Sequence, residues 1–295
     1  MLKFEGVRIR SIIAAALLLA LAGCGPLRIV YSQADLLIYR WVNGYVDFNG
    51  QQAPRAREAI DRWLAWHRTT QLGDYAELLQ RAAAEVQHDT TGERLCRWVD
   101  ELAVRADRGV ERALPEAAAL ARRLTPEQLE HIAQGQRKAA KKLREEFLAP
   151  EPDERLERQI ERATDRAEQL YGRLDAPQRK RLAEGLRASP FDAERWVAER
   201  ERRQRDLLDT LRELRAQPAA ADGADARGTA LLRAWWQRVQ HSPDAAYRSD
   251  AERLQPYNCE LAARLHNATT PAQRETARRR LQGWRGDLRH MARPA

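Results

Sequence analysis

Leu124-Thr125-Pro126-Glu127-Gln128-Leu129 is the stretch on which the fold turns. A threonine three residues ahead of a glutamine, with proline between them, is a helix start. The hydroxyl accepts from the glutamine N–H, the glutamine side chain reaches back to the threonine N–H, and proline loses nothing because first-turn amides have no partner inside the helix. The pattern returns at Asp175-Ala176-Pro177-Gln178 and at Thr270-Pro271-Ala272-Gln273. Ser189-Pro190-Phe191-Asp192 reads as a fourth box with proline at its first helical position. Leu124 and Leu174 precede two of the boxes.

Outward from these starts the apolar residues recur at three- and four-residue steps, the period of a helix with one buried face. One stripe runs Leu129, Ile132, Ala140, Leu143 and Phe147. The next runs Leu156, Ile160, Ala163, Ala167 and Leu170, and a third Trp196, Val197, Leu207, Leu208, Leu211 and Leu214 around the charged Arg200-Glu201-Arg202-Arg203. Upstream, Ser32 and Asp35 open a helix with Leu37, Trp41, Tyr45 and Phe48 on one face, ending near Asn49-Gly50. A second begins near Pro54, and a third carries Tyr75, Leu78, Leu79 and Val86. Thr90 and Glu93 cap a long stripe of Leu95, Trp98, Val99, Leu102, Ala106, Val110 and Leu114. Near the C-terminus, Ser249 and Glu252 cap a helix that Pro256 is expected to kink or delay. The last helix shows Ala277, Leu281, Trp284, Leu288 and Met291 as a heptad-like seam. The expected fold class is therefore all-α, a multi-helix bundle of amphipathic helices.

Residues 1–10 carry Lys3, Arg8 and Arg10 against Glu5. The apolar run Ser11 to Ala20 follows, and then small residues, which is the order of a secretory signal. The run is too short to cross a bilayer, which takes roughly 20 apolar residues. Leu21-Ala22-Gly23-Cys24 resembles the lipobox of bacterial lipoproteins. That resemblance implies a signal peptide over 1–23, palmitate-type acyl chains on Cys24 as the first mature residue, a lipidated tether over 24–31 and an all-helical periplasmic domain over 32–295. Several acyl chains hold a protein on a membrane where one does so only marginally. Gly25, where aspartate would retain such a protein, resembles the pattern sent to the outer membrane. The stretch 217–228, rich in Ala, Asp and Gly, is the best candidate for an internal boundary.

Of the 295 residues, 51 are Lys or Arg and 43 Asp or Glu. Three of the basic and one of the acidic residues fall in 1–23, which leaves a net charge of +6 on the remainder. Fifteen glycines, none in a phosphate-binding loop, and abundant Ala, Leu, Arg and Glu fit a helical protein. Six histidines stand singly, so Trp66-His67-Arg68 reads as a packing histidine and no metal site is expected. Carboxylates are interleaved with arginine, as in Glu154-Arg155-Leu156-Glu157-Arg158, the pattern of a solvated helix face. Neither a catalytic carboxylate pair nor a serine nucleophile motif is present, so no enzyme and no cofactor beyond the covalent lipid on Cys24 is expected. Cys96 and Cys259 leave two readings open, a disulfide or two separate half-buried thiols. Basic clusters at Lys141-Lys142 and Arg278-Arg279-Arg280 are candidate contacts for anionic polymers. A secreted address argues against nucleic acid.

Two resemblances follow. Tyr45-Val46-Asp47, Trp66-His67-Arg68 with Tyr75-Ala76, Leu124 through Leu129, and Trp196 through Leu208 resemble an uncharacterised family of Gram-negative envelope lipoproteins, a domain of unknown function. The Leu-Thr-Pro-Glu-Gln box is similar to the repeated motif of small helical periplasmic chaperones of the envelope stress response. The expectation is a lipid-anchored protein on the periplasmic face of the outer membrane that acts by binding envelope proteins, chaperone-like or as a scaffold. The alternative is an adaptor that binds lipopolysaccharide or cell-wall polymer through its basic helix faces.

Overall fold

Helix starts in this chain are set by side chains that satisfy first-turn amides, and the computed structural model shows which ones act. It describes residues 26–149, 151–216 and 226–293. Cys24 and the signal segment lie outside the described residues, as do 217–225 of the expected boundary. Among the described residues there are twelve helices and no strand. They are α1 Pro26–Ser32, α2 Ala34–Val46, α3 Gln52–Thr70, α4 Leu72–Glu85, α5 Gly92–Ala121, α6 Pro126–Phe147, α7 Pro152–Tyr171, α8 Ala176–Arg187, α9 Ala193–Ala216, α10 Ala226–Gln240, α11 Ala245–Asn267 and α12 Pro271–Met291.

The boxes at Thr125, Asp175 and Thr270 form with both reciprocal bonds. Other starts differ from expectation because a nearby oxygen reaches the free amide first. Asp192, not Ser189, accepts from the Arg195 amide at 2.9 Å, and Thr91, not Thr90, caps α5. Asp244 caps α11 by accepting from Ala246 and Tyr247, which leaves Ser249 inside the helix. Pro256 also lies inside α11. Both it and Glu252, whose carbonyl proline leaves without its usual donor, are exposed, so water can satisfy that carbonyl. Ser32 does not cap α2, and its hydroxyl instead donates to Ile29 O.

The boxes act in pairs. Asn49 and Gln52 form a further box, in which the Gln52 amide N–H donates to Asn49 Oδ1 at 3.0 Å and Asn49 N–H to Gln52 Oε1 at 3.1 Å. Gln52 then faces Gln128. Gln128 Nε2 donates to Gln52 Oε1 at 2.7 Å and to Asp47 O at 2.8 Å, and Gln52 Nε2 donates to Gln128 Oε1 at 3.1 Å and to Arg123 O at 2.6 Å. Gln178 and Gln273 repeat this atom for atom. Gln178 Nε2 reaches Gln273 Oε1 at 2.8 Å and Ala268 O at 2.9 Å, while Gln273 Nε2 reaches Gln178 Oε1 and Arg173 O, both at 2.9 Å. In every case the accepting carbonyl lies two residues before the partner's cap. Each carboxamide thus fills both donor and both acceptor positions, which is what the buried Gln52, Gln128 and Gln178 require, Gln273 being half-buried.

The pairing describes a repeated unit of two interlocked helix hairpins. In the first, α2 packs on α3 and α6, and α3 on α5. In the second, α7 packs on α8 and α12, and α8 on α11. The first hairpin of each unit turns at a residue with positive φ, Asp47 (57°) after α2 and Gly172 (80°) after α7, where short polar or absent side chains are tolerated. Leu124 and Leu174, the leucines ahead of the boxes, are 5% and 2% exposed. Each sits in its unit's core, one with Leu114, Leu129, Ile132 and Leu211, the other with Leu182, Leu261 and Leu265.

The units are joined broadly. The α4–α12 contact is the most extensive in the molecule and buries Ala83, Val86, Ala277 and Leu281. α5 approaches α11 so closely at Gly92 that a Cβ there would lie 3.1 Å from the Glu260 backbone. Beyond the stretch 217–228, α10 and α11 both pack on α5. The test of the pairing is Gln128→Leu, which leaves the Thr125 amide, the Asp47 carbonyl and the Gln52 carboxamide short of partners. Of these only Gln52 is buried, so at about 1–3 kcal/mol per buried orphan denaturant unfolding should show a loss of roughly 1–3 kcal/mol, and no loss would contradict the arrangement.

Candidate functional site

The segment next to Cys24 is held firmly. Residues 26–32, most of the expected tether, form α1, and two of its side chains dock on distant parts of the chain. Arg28 Nε donates to Asp287 Oδ1 of α12 at 2.7 Å, where the carboxylate side chain is only 5% exposed. The Tyr31 hydroxyl lies 3.0 Å from His67 Nδ1 at the end of α3. Both partners are remote in sequence, so nothing local announces these contacts.

His67 is the centre of an aromatic cluster. Its ring stacks on Trp63 with centroids 4.8 Å apart and meets Tyr31 at 6.0 Å and Tyr75 at 5.5 Å. Trp63 Nε1 donates to Gly109 O at 2.9 Å, which ties α3 to α5. The Arg68 guanidinium lies 5.7 Å from the Tyr31 ring centre, a cation–π distance. Burial pushes His67 below the ordinary histidine value, and it pushes Tyr31 up against the opposing effect of Arg68.

A second tyrosine–histidine pair occupies the other unit. His266 Nε2 lies 2.7 Å from His88 O and Nδ1 lies 2.8 Å from the Tyr171 hydroxyl. A carbonyl only accepts, so Nε2 carries the proton and Nδ1 accepts from Tyr171. Both ring nitrogens are thereby committed. Burial lowers the His266 value, opposed by its bond to the His88 carbonyl, and raises Tyr171 to about 12. These neutral imidazoles serve as packing and hydrogen-bonding groups. Among the described residues no group of three or more His, Cys, Asp or Glu is arranged to hold a metal ion.

The charged middle of α9 is largely internal. Glu199, 3% exposed, accepts from Arg202 Nε at 2.7 Å, Arg203 Nε at 2.7 Å and Ser242 Oγ at 2.9 Å. Burial alone would raise its pKa, but the bonds from Arg202, Arg203 and Ser242 outweigh it and hold the carboxyl below the usual range. Asp206 accepts from Arg238 Nη2 at 2.7 Å and Arg202 Nη1 at 3.2 Å. The network fastens α9 to α10 and to the turn before α11.

The remaining candidates are dispersed. Cys96 of α5 and Cys259 of α11 are joined in a disulfide with Cα atoms 5.5 Å apart. Lys141 lies 3.8 Å from Glu145, and Lys142 is exposed. Arg278 binds Glu275 through two nitrogens, Arg279 lies 3.8 Å from the same carboxylate, and Arg280 donates to the Glu168 and Gln169 carbonyls near the end of α7. These five basic residues therefore form no single face. The surfaces not anticipated are an exposed apolar stripe on α5, including Val99 and Leu102, and a basic cleft between α1 and α12. The first was read as core because its spacing is that of a buried stripe. The second joins the two ends of the described chain, and its trace in the sequence is Arg285, Arg289 and Arg293 at four-residue steps.

Among the described residues no helix is long and apolar enough to cross a membrane. Residues 44–224, more than half of the chain, match the model of a family of unknown function, DUF6279. No curated protein and no solved structure matches.

The two histidines make a pH prediction. With folded values below the ordinary 6.5, the unfolded chain takes up protons first as pH falls, so stability is full above about 6.5 and declines as pH drops toward the lowered folded values. Denaturant midpoints should fall between pH 7.5 and 5.5, above the range where carboxylates titrate. His266→Gln should be less stable at pH 7.5 yet show a shallower decline. A flat wild-type profile would contradict this.

Proposed function

This chain belongs to DUF6279, a family of unknown function, and from that premise we propose that it is a lipid-anchored scaffold that binds other envelope proteins along α5. The observation that carries the reading is the stripe of Leu95, Val99, Leu102, Ala103 and Ala106. These residues span about 100° of the helix circumference and about 17 Å of its length. Val99 and Leu102 are 46% and 53% exposed, Ala103 and Ala106 are exposed and Leu95 is half-buried. This is the width of a face that normally packs on another element. Its occupant in this proposal is the apolar side of an amphipathic segment in a partner protein, and covering the stripe would contribute on the order of 1 kcal/mol per large side chain.

The anchoring half of the proposal rests on Leu21-Ala22-Gly23-Cys24 and the preceding signal. It places the protein on the periplasmic face of the outer membrane. The Cys96–Cys259 disulfide supports it, since such bonds persist in oxidising compartments and are rare in the cytosol. The alternative adaptor reading, with polymer bound through Arg278 to Arg280 and Lys141-Lys142, is weakened by the hydrogen bonds that Arg278 and Arg280 already make within the fold.

Growth with labelled palmitate should mark the wild-type chain and leave Cys24→Ala unmarked, and label on both or on neither would overturn the anchor. Separately, Val99→Glu with Leu102→Glu alters exposed positions and should change stability by no more than about 0.5 kcal/mol each. It should abolish both crosslinking to envelope proteins in cells and suppression of aggregation of an unfolded client. Undiminished crosslinking and suppression would sink the role given to α5.

A further inference from the structure

A cleft of about 520 Å³ opens between α1 and the last turns of α12, and five of its lining residues are Arg28, Arg285, Arg289, Arg293 and His290. Arg285 and Arg289, four residues apart, share one side of α12, and Arg293, two residues past its end, lines the same cleft. They make no ion pair among the described residues, unlike Arg278 and Arg279 on the preceding turns. Asp287, the acidic residue of this turn, is buried and already holds Arg28 Nε. Basic residues at a helix C-terminus favour its dipole, which accounts for Arg289 and His290 in the last turn. It does not account for Arg285, a turn earlier, and Asp287, which pairs with Arg28, leaves Arg285 without a carboxylate partner among the described residues. Clustered guanidiniums repel one another unless an anion lies between them, and their planar forks match phosphate oxygens.

We propose that this cleft holds the phosphate of an anionic phospholipid headgroup in the membrane that carries the anchor. The inference rests on the anchored reading, because that reading says which surface the cleft meets. Arg28 lies four residues after Cys24, and four residues of chain span at most about 14 Å. A lipid on Cys24 therefore keeps the cleft within a short distance of the headgroup layer, whatever path residues 24 and 25 take. Ile29, on the same helix and 67% exposed, supplies an apolar side chain for the interface, as surface-lying helices do. Bound in this way, the body would be oriented by two contacts, the acyl chains and the cleft, and not by the acyl chains alone.

The test uses the mature chain, residues 24–295, carrying Cys24→Ala, which can bear no lipid and lacks the apolar run of 1–23, with phosphatidylcholine vesicles that either lack or contain phosphatidylglycerol. Binding should require phosphatidylglycerol and weaken roughly thirty-fold in Arg285→Gln with Arg289→Gln, at about five-fold for each arginine near an anionic surface. Arg278→Gln with Arg279→Gln removes the same charge from ion-paired positions and should weaken binding less than two-fold. Equal loss in the two double variants would mean that net charge alone governs binding and would overturn the cleft, as would equal binding to both kinds of vesicle. Inorganic phosphate at matched ionic strength should displace the vesicles only in large molar excess over the lipid phosphate; displacement at equal concentration would make the ligand a free phosphate and refute the lipid assignment. The palmitate label reports separately: an unlabelled Cys24 ends the anchored reading and leaves the vesicle result standing, whereas lost vesicle selectivity ends the cleft and leaves the anchor.

Discussion

The reciprocal carboxamide bond between two helix starts is the constraint on which the structure depends. A glutamine side chain in a dry interior must fill two donor and two acceptor positions, or lose the hydration it left behind. Its own capping box fills one acceptor position. The partner glutamine and a carbonyl two residues before the partner's cap fill the rest, and only one relative placement of two hairpins satisfies all of them. Gln52 with Gln128 and Gln178 with Gln273 therefore fix which helices cross and at what register. The leucines ahead of the boxes, Leu124 and Leu174, then fall into the cores beneath.

Given two such units, the remaining interactions set them against each other. The α4–α12 interface, the Cys96–Cys259 disulfide and the close approach at Gly92 join early and late parts of the chain. Arg28 and Tyr31 extend this to the N-terminal end, since each binds a partner held in a packed helix. A body fastened this way transmits orientation from one end to the other, where a loose tether would not. That rigidity links the exposed stripe on α5 to the basic cleft beside α1, because their spacing is set by packed helices.

Much of the fold was legible because capping is local chemistry. Thr125, Asp175 and Thr270 act as the pattern of a capping oxygen, proline and glutamine says they should. The box at Asn49 escaped notice because Asn-Gly also reads as a turn, and Asp192 and Asp244 took the places expected of Ser189 and Ser249 because a carboxylate stood nearer the free amides. Periodicity misled in the opposite direction at Val99 and Leu102, which have the spacing of core residues and lie on the surface. A stripe shows that a face can be covered; it does not show what covers it. Beside the charged middle of α9, Glu199 is buried among arginines, which the apolar period does not show.

Sequence by itself determined the helical class, the principal helix starts and the candidate lipidation site at Cys24, because each depends on residues within a few positions of one another. Tertiary structure alone decided that the boxes pair, that Cys96 meets Cys259, that Arg278 and Arg280 are occupied within the fold and that Arg28 joins the end of α12. The physical reason is the same in each case. Local hydrogen bonds are chosen by chain neighbours, whereas burial, ion pairing and clefts arise between segments up to 259 residues apart, whose meeting is fixed only when every buried polar group has found its partner.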